Sequence, residues 1–336
     1  MKALIYDGER VIYQDIDHHD AEFYPRPIKI KIQLAGICST DLKIVDGKYY
    51  NKALLKPNGI LGHEGCGHVA QSAPGSPFKR GDHVVFETVF PCQRCDTCVQ
   101  GLTNYCSNWL HIGINTNGTF SEYLTIDESM VHKISKDVPP QISVLAEPLS
   151  IALNSIASIF EERRNKALTV AVVGPGILGL LHTLLLAESD HSVDVFGLSS
   201  DDQRLEKALS LGAKNAFKTD VAPATLQQYD LVIDSSNTSS GAAFALNRCK
   251  PGGHLRVLNL STEKGISSSD IVKSGCRIST SKGIHHSHMV TACNYIETSR
   301  HKLTGLTTHF FNPNEYQQAF NFARNKEGIK SAFNFN

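Results

Sequence analysis

The sequence predicts an α/β protein of two domains with a boundary near residue 150. Its 336 residues correspond to about two domains at roughly 150 residues each. Short apolar runs separated by Gly, Pro and Asp precede the boundary, and alternating strand and helix signals follow it. Such alternation is typical of a parallel sheet covered by helices on both faces. The predicted fold class is therefore α/β with β, a β-rich domain joined to a doubly wound parallel-sheet domain.

The individual elements follow from hydrophobic period and punctuation. Alternation over 28–32 predicts a half-buried strand, and three further short apolar runs predict strands at 68–70, 83–86 and 123–126. Beyond a helical 150–163, strand and helix signals fall at 168–173, 177–188, 192–196, 202–211, 230–234, 240–248 and 254–260. The tail adds a helical 314–325 and a short apolar end at 330–333.

Charge and hydropathy restrict the functional class. The chain carries 33 Lys+Arg and 33 Asp+Glu, so it lacks the net positive charge that general nucleic-acid binders use. The apolar runs at 177–181 and 184–187 are far shorter than the ~18–20 residues that span a bilayer. The N-terminus reaches Asp7 before any signal-like apolar core. We therefore expect a cytoplasmic protein with no nucleic-acid or membrane partner, whose nine cysteines indicate metal binding or catalysis more than disulfides.

Four cysteines lie within fifteen residues, with the spacing C-x2-C-x2-C-x7-C: Cys92, Cys95, Cys98 and Cys106. Four thiolates suit one tetrahedral zinc ion in a closed structural site. An iron–sulfur cluster also takes four cysteines, although its usual spacings differ. Free or disulfide-bonded cysteines are the remaining alternative. The spacing favours structural zinc, which would hold together a loop too polar to form its own core.

A second set of candidate metal ligands is dispersed along the chain. Cys38 and Asp41 lie in one segment, His63 and Glu64 lie between two glycines, and Glu147 lies at the predicted boundary. Each residue alone is a weak signal, since lone cysteines are usually buried fillers and lone glutamates are usually solvated. Together they offer a sulfur, an imidazole and carboxylates, the ligand types of a catalytic zinc that keeps one position open.

An apolar strand at 168–173 leads into Gly174-Pro175-Gly176-Ile177-Leu178-Gly179 and an apolar helix. This strand–loop–helix context predicts dinucleotide binding. Gly174 would permit the turn, Gly176 would let the backbone approach a pyrophosphate, and Gly179 would allow close helix packing. Ile177 and Leu178 would place the helix N-terminus at the phosphates. A plain strand–turn–helix crossover is the alternative.

The cofactor's ribose-binding position lacks a clear acid. A count of about 20 residues from Gly174 reaches Asp194, which lies inside the second strand and not at its end. Without that acid, a 2′-phosphate could be bound by nearby polar groups, namely Ser199, Ser200 and Arg204. Asp201 and Asp202 oppose this. The sequence thus favours NADP slightly over NAD.

With these elements in this order, the sequence resembles the zinc-dependent medium-chain dehydrogenase/reductase family over essentially its whole length. The motifs that carry the resemblance are Cys38-Ser39-Thr40-Asp41, 61–65, 79–84, the four-cysteine segment, 118–123, the glycine loop, 211–213 and 250–253. Glu147-Pro148-Leu149 is similar to the polyol, threonine and sugar dehydrogenases. The resemblance implies a GroES-like β-barrel domain over 1–150, completed by about 290–336, and a Rossmann domain over 151–290.

The resemblance also implies roles for individual residues. Cys38 and His63 would bind the catalytic zinc, with Glu64 or a water as the third ligand and Glu147 acting directly or through that water. Asp41 would accept the other N–H of His63. Thr40 would begin a proton relay, and Lys43 stands where many relatives carry the next histidine of that relay.

The implied activity is hydride transfer between NAD(P) and a secondary alcohol or ketone: a polyol, sugar, cyclitol or hydroxy amino acid. Two zinc ions per chain and a homodimer or homotetramer would accompany it. Two alternatives stay open, a zinc-free quinone or enoyl reductase of the same superfamily and a cofactor-binding protein that has lost catalysis. The histidines at 285, 286 and 288 are expected to be solvated.

Overall fold

A computed structural model describes residues 1–17, 24–162, 166–221, 227–258, 261 and 265–336. Within these ranges the chain forms two compact units. The first comprises Met1–Ser150 together with Gly283–Asn336, and the second comprises Ile151–Lys282. Residue 163 of the predicted helix 150–163 and residues 259–260 of the predicted strand 254–260 lie outside the described residues.

The part of the chain up to the boundary is mainly short strands. In order, its elements are β1 (Lys2–Tyr6), β2 (Val11–Asp15), β3 (Pro27–Gly36), α1 (Ser39–Val45), β4 (Gly59–Ile60), β5 (Glu64–Gln71), β6 (His83–Phe86), β7 (Val89–Phe90), α2 (Asp96–Val99), β8 (Leu110–His111), β9 (Tyr123–Asp127), β10 (Val131–Lys133), α3 (Pro140–Ser143) and α4 (Ala146–Glu162). Helix α4 continues from the first unit into the second.

The second unit alternates strands and helices. Its elements are β11 (Thr169–Val173), α5 (Ile177–Glu188), β12 (Ser192–Gly197), α6 (Asp202–Ser210), β13 (Asn215–Lys218), β14 (Tyr229–Asp234), α7 (Ser239–Arg248), β15 (Cys249–Val257), α8 (Ser268–Ser274) and β16 (Arg277–Thr280). All strand pairs are parallel, in the order β13-β12-β11-β14-β15-β16. Strand β11 and the central residues 231–233 of β14 are mainly apolar and buried on both faces. The order reverses beside β11, which makes its carboxyl end a switch point of the sheet.

The C-terminal part returns to the first unit with α9 (His286–Ser299), β17 (Thr307–Phe311), α10 (Tyr316–Arg324) and β18 (Lys330–Asn334). Strand β18 pairs with β3, in the sheet order β10-β6-β5-β3-β18-β17, and β9 also pairs with β3. Ile28, Ile30 and Ile32 of β3 are at most 1% exposed, whereas the intervening lysines face outward. This period-two pattern directs one face of β3 into the core of the unit.

The described strands confirm the predicted α/β fold class, with a β-rich part and a separate parallel sheet. The described elements that fall outside the predicted ranges are the strands β1, β2, β4, β7, β8, β10, β13, β16 and β17 and the helices α1, α2, α3, α8 and α9. In the described ranges, one helical stretch, Pro140–Ile159, is long and apolar enough to cross a membrane, but 72% of it is buried. Glu147 and Pro148 interrupt the apolar residues of this stretch, so it contains no long uninterrupted apolar run in the sequence. Its burial is that of a core helix.

Candidate metal and cofactor sites

The four cysteines predicted to bind structural zinc converge in the first unit. Their sulfur atoms all lie within 4.8 Å of one another, and all four side chains are free thiols: Cys92, Cys95, Cys98 and Cys106. The Cys95 and Cys106 sulfurs are 3.8 Å apart. A tetrahedron with Zn–S bonds of about 2.3 Å has edges of about 3.8 Å, so this spacing fits zinc and is far too long for a disulfide.

Hydrogen bonds already direct N–H groups at these sulfurs. Cys106 Sγ accepts from the backbone N–H groups of Cys92 and Asn108, both at 3.3 Å. The Thr97 hydroxyl, with backbone N–H groups, lowers the pKa of Cys95 to about 5. Burial, together with the neighbouring Cys95 and Cys106 thiols, raises the pKa of Cys98 to about 12. A bound cation would favour the thiolate form of these cysteines.

The second predicted set also converges, in part. Potential ligand atoms of Cys38, His63 and Glu64 lie within 4.8 Å of one another. His63 and Glu64 are only 5% and 2% exposed, and Cys38 is half-buried. Cys38 follows β3, whereas His63 and Glu64 lie at the start of β5, the antiparallel neighbour of β3. Pairing of these strands brings a sulfur, an imidazole and a carboxylate together, a set that fits a zinc ion with an open position.

Asp41 braces this cluster through the backbone. Its fully buried carboxylate accepts from the backbone N–H of Cys38 at 2.8 Å and of Gly62 at 3.2 Å. It therefore ties both ligand-bearing segments together. The His63 Nδ1 to Asp41 Oδ1 distance is 3.6 Å, longer than an ordinary hydrogen bond. Burial lowers the pKa of His63, but the charges of Asp41 and Cys38 outweigh it and the pKa lies well above its usual value.

Lys330 is a residue of this site that sequence reasoning missed. It is 2% exposed at the start of β18, its Nζ forms an ion pair with Glu64, and it donates to the Ile37 carbonyl at 2.8 Å. A Cβ on Gly36 would collide with the Glu64 carboxylate, so the glycine makes room for the pair. No sequence signal marks Lys330, because only the pairing of β18 with β3 brings it here.

Glu147 does not join the cluster of Cys38, His63 and Glu64 among the described residues. It lies in the first turn of α4 and is 8% exposed. Burial and the charge of Glu64 raise its pKa to about 7, against the opposing effect of His63. The charges that act on Glu147 are those of the cluster residues Glu64 and His63, so its carboxyl group lies near the cluster.

The remaining predicted residues around this site lie in α1, and His111 of β8 is a further neighbour. Thr40 is half-buried in the first turn of α1, two residues after Cys38. Lys43, one helical turn further, is half-buried, and burial lowers its pKa against the raising effect of Cys38. The His111 ring stands edge-on to His63, with centroids 5.7 Å apart.

The glycine loop follows β11 and opens α5. Gly174 has φ +94°, and a Cβ there would lie 2.6 Å from the Ser236 backbone. A Cβ on Gly179 would collide with the Gly174 carbonyl, whereas one on Gly176 would meet no described atom within 4 Å. Ile177 and Leu178 form the first turn of α5 and are half-buried. The loop is thus closely packed at both ends and open at Gly176, where N–H groups of a helix N-terminus could bind a phosphate.

Two serines beside this loop were missed by sequence reasoning. Ser235 donates to the carbonyls of Val173 and Gly174 at 3.1 and 2.9 Å, and Ser236 donates to Asp234 at 2.6 Å. They follow β14, the strand adjacent to β11. The run of acid and serines at the carboxyl end of a strand was the signal that could have found them.

The residues considered for the 2′-phosphate have acidic partners. Ser199 donates its backbone N–H to Asp220 at 3.0 Å, and Arg204 lies 3.5 Å from Asp201. Ser200 is exposed in the same turn. Asp194 is buried inside β12 and accepts from three side chains, those of Asn215, Gln227 and Tyr229. Its role is therefore structural.

Known proteins are similar to this chain in sequence and fold. The family model described as "Alcohol dehydrogenase GroES-like domain" matches residues 24–136. An L-threonine 3-dehydrogenase of Caldanaerobacter subterraneus subsp. tengcongensis is 30% identical over 245 residues, 70% of this chain and 69% of that protein. A sorbitol dehydrogenase of Halalkalibacterium halodurans is 25% identical over 315 residues, 90% of each chain.

The alcohol dehydrogenase of the archaeon Aeropyrum pernix has the same fold, with a TM-score of 0.87 at 19% identity over 99% of this chain and 100% of the other. The similarity in sequence to the threonine and sorbitol dehydrogenases extends over most of the chain. The chain therefore belongs to the zinc-dependent medium-chain dehydrogenase/reductase family of oxidoreductases, in its alcohol and polyol dehydrogenase branch.

Proposed function

We propose that this protein is a zinc- and NAD(P)-dependent dehydrogenase of secondary alcohols, in which Cys38, His63 and Glu64 hold the catalytic metal. The observation that carries the proposal is the convergence of these three side chains within 4.8 Å at a buried point beside paired strands. Three protein ligands leave one coordination position of zinc open for a substrate, whereas a structural zinc site needs no open position.

The chemical type of each donor atom indicates the role of each residue. Cys38 and His63 supply the soft sulfur and the imidazole that zinc favours, and Glu64 supplies an oxygen while Lys330 balances its charge. Glu147 would act through a water, since its carboxylate lies outside the cluster. When bound, zinc would act as Lewis acid on the substrate hydroxyl and the nicotinamide would accept the hydride.

Thr40 would carry the proton away from the substrate. Its hydroxyl lies in the helix that begins at Cys38 and can both accept and donate a hydrogen bond. Lys43 is one turn away on the same face of α1 and is the next group in that direction. Asp41 would act indirectly, by keeping the Cys38 and His63 segments in place.

The dinucleotide would be bound by the loop from Gly174 to Gly179, with its pyrophosphate at the open Gly176 and the N-terminus of α5. NADP remains slightly favoured from sequence, through Ser199, Ser200 and Arg204. The acidic partners of Ser199 and Arg204 weaken that preference, because Asp220 would repel a 2′-phosphate. We therefore propose NAD(P) as the cofactor class.

Further proposals accompany this assignment. The four-cysteine cluster would hold a second, structural zinc, the first unit would be the catalytic domain and the second the dinucleotide-binding domain. We also propose a cytoplasmic homodimer or homotetramer. Sedimentation velocity of the purified protein distinguishes these assemblies from a monomer, which would contradict the last proposal.

The substrate class is proposed from the relatives, a threonine and a sorbitol dehydrogenase. The test is reduction of NAD and of NADP across a panel of polyols, aldoses, cyclitols, threonine and simple alcohols. We expect turnover with at least one polyhydroxylated or hydroxy amino acid substrate. Turnover only with quinones or enoyl compounds would favour a zinc-free reductase. Cofactor binding without any turnover would favour a protein that has lost catalysis.

A further inference from the structure

A third group of potential ligands lies in the first unit and shares no residue with the two clusters above. It comprises Glu87, His132 and His286, whose ligand atoms lie within 4.8 Å of one another. His132 Nε2 is 2.8 Å and His286 Nδ1 is 2.6 Å from the same oxygen, Oε1 of Glu87. The two rings lie against each other, with centroids 5.3 Å apart and planes at 40°.

The fold brings the three residues together from distant parts of the sequence. Glu87 directly follows β6, and its backbone N–H donates to Met130 at 2.8 Å. Strand β10 pairs antiparallel with β6, which places His132 beside the end of β6. His286 is the first residue of α9, which belongs to the C-terminal part of the unit. The group therefore joins a strand pair to a helix that arrives more than a hundred residues later.

The donor atoms of this group suit one bound cation better than two separate hydrogen bonds from imidazole N–H groups to one carboxylate oxygen. One carboxylate oxygen faces two imidazole nitrogens, so the lone pairs or hydrogens of both rings point to one place. Glu87 and His132 are nearly buried, with side chains 10% and 11% exposed, so their potential ligand atoms are largely shielded from bulk water.

The geometry requires only a small adjustment to admit a metal. Nitrogen and oxygen ligands of tetrahedral zinc lie about 2.0–2.1 Å from the ion and hence about 3.3 Å from each other. The present distances of 2.6 and 2.8 Å would open by about 0.7 and 0.5 Å respectively. The His286 side chain is 63% exposed, so it can shift, and the solvent side of the group can supply water as a fourth ligand.

We propose that Glu87, His132 and His286 form a third metal site that takes a divalent transition-metal ion of the zinc type. Two imidazoles and one carboxylate with an open position select such an ion over Mg²⁺, which prefers oxygen ligands and near-octahedral geometry. The bound ion would fasten the start of α9 to the ends of β6 and β10. Sequence alone does not separate His286 from the neighbouring His285 and His288; only its contact with Glu87 does.

The test is the zinc content per chain after equilibrium dialysis at a series of free Zn²⁺ concentrations. His286→Gln is expected to bind one zinc fewer than wild type, or to need a free concentration at least roughly 10–100-fold higher, the range already seen when only an outer partner of a ligand is lost. His285→Gln is the matched control, since His285 is adjacent and contacts Ser287 instead of Glu87. The control should bind as much zinc as wild type.

A second variant and a thermal-unfolding measurement test the same site. His132→Gln should lose the same single ion. Once the four-cysteine site and the site of Cys38, His63 and Glu64 are filled, further Zn²⁺ should raise the Tm of wild type and of the control but not of His286→Gln. Mg²⁺ at equal concentration should produce no such increase. Equal zinc content in wild type and His286→Gln, or equal loss in His285→Gln, would overturn the assignment.

Discussion

The four-cysteine cluster and the cluster of Cys38, His63 and Glu64, here the Cys38 cluster, share cysteine ligands but differ in where the chain places them. The first draws all its donors from fifteen consecutive residues, beside exposed side chains such as Val99, Leu102 and Tyr105. The second draws donors from two strands into the buried interior and adds a buried lysine from a third. The first segment has little core of its own, so we expect its order to depend on a bound ion. The second is held by strand pairing whether or not an ion is bound.

This difference suggests that the four-cysteine cluster stabilises the fold, whereas the Cys38 cluster supports the reaction. Four sulfurs close a coordination shell and leave no position for a substrate. Three mixed donors would leave one position open, in a site whose ionisable groups Glu147 and His63 have shifted pKa values. Breaking the first cluster should therefore cost local order, and breaking the second should cost catalysis.

The largest effect is expected from Cys106→Ala. Structural zinc supplies an apparent folding free energy of roughly 10–16 kcal/mol in zinc-finger peptides, so loss of one ligand should release the ion and unfold the segment from Cys92 to Cys106. Limited proteolysis should then cleave within this segment, and zinc content should fall by one ion. Cys276→Ala, which lies in the second unit outside the ligand clusters, is the control. An intact, protease-resistant segment in Cys106→Ala would contradict the assignment.

Cys38→Ala should remove activity and leave the fold intact. Loss of a catalytic zinc ligand is expected to lower kcat/KM by at least roughly 10³-fold, about 4 kcal/mol of transition-state stabilisation. Dinucleotide binding, measured by fluorescence titration, should be retained. Cys66→Ala is the matched control, because Cys66 lies in the neighbouring β5 but outside the cluster. A Cys38→Ala enzyme with normal turnover would refute the role given to Cys38.

Lys330→Met should destabilise the protein by about 3–5 kcal/mol, since it leaves the buried Glu64 carboxylate without its partner. The double variant with Glu64→Gln should recover much of that loss. Lys133→Met removes a half-exposed lysine that lies 2.7 Å from Asp82, and it should cost less than about 1 kcal/mol. Denaturant unfolding measures all three. Equal costs at Lys330 and Lys133 would show that the buried ion pair does not matter to this site.

Asp220→Asn is expected to have the smallest effect, confined to cofactor choice. Removing the carboxylate beside Ser199 should lower the KM for NADP relative to that for NAD by roughly tenfold, about 1.4 kcal/mol, because a 2′-phosphate would meet less negative charge. Asp270→Asn is the matched control, because the exposed Asp270 carboxylate also accepts the backbone N–H of a serine, Ser267, in the second unit. An unchanged ratio of the two KM values would place the ribose away from Asp220.

Local patterns in the sequence predicted the fold class, the family and the dehydrogenase activity, and these predictions are confirmed. Cysteine spacing and the glycine loop are readable because their residues are neighbours in the chain. Lys330 and Asp220 could not be identified from the sequence, since only tertiary pairing brings them to Glu64 and Ser199. Counting residues for a ribose acid led to Asp194, which strand pairing buries. The short edge strands β13 and β16 are only partly buried and lack a strong apolar signal.

The central claim is that the Cys38 cluster, and not the four-cysteine cluster, supports the chemistry through a metal ion. The most direct measurement is alcohol-dependent cofactor reduction before and after brief chelation, followed by addition of Zn²⁺, with the segment from Cys92 to Cys106 monitored by proteolysis. We expect activity to be lost while this segment is still intact, because the open site exchanges its ligand with solvent more readily than the closed one. Activity should return with zinc. Undiminished turnover in the metal-depleted enzyme would contradict the account.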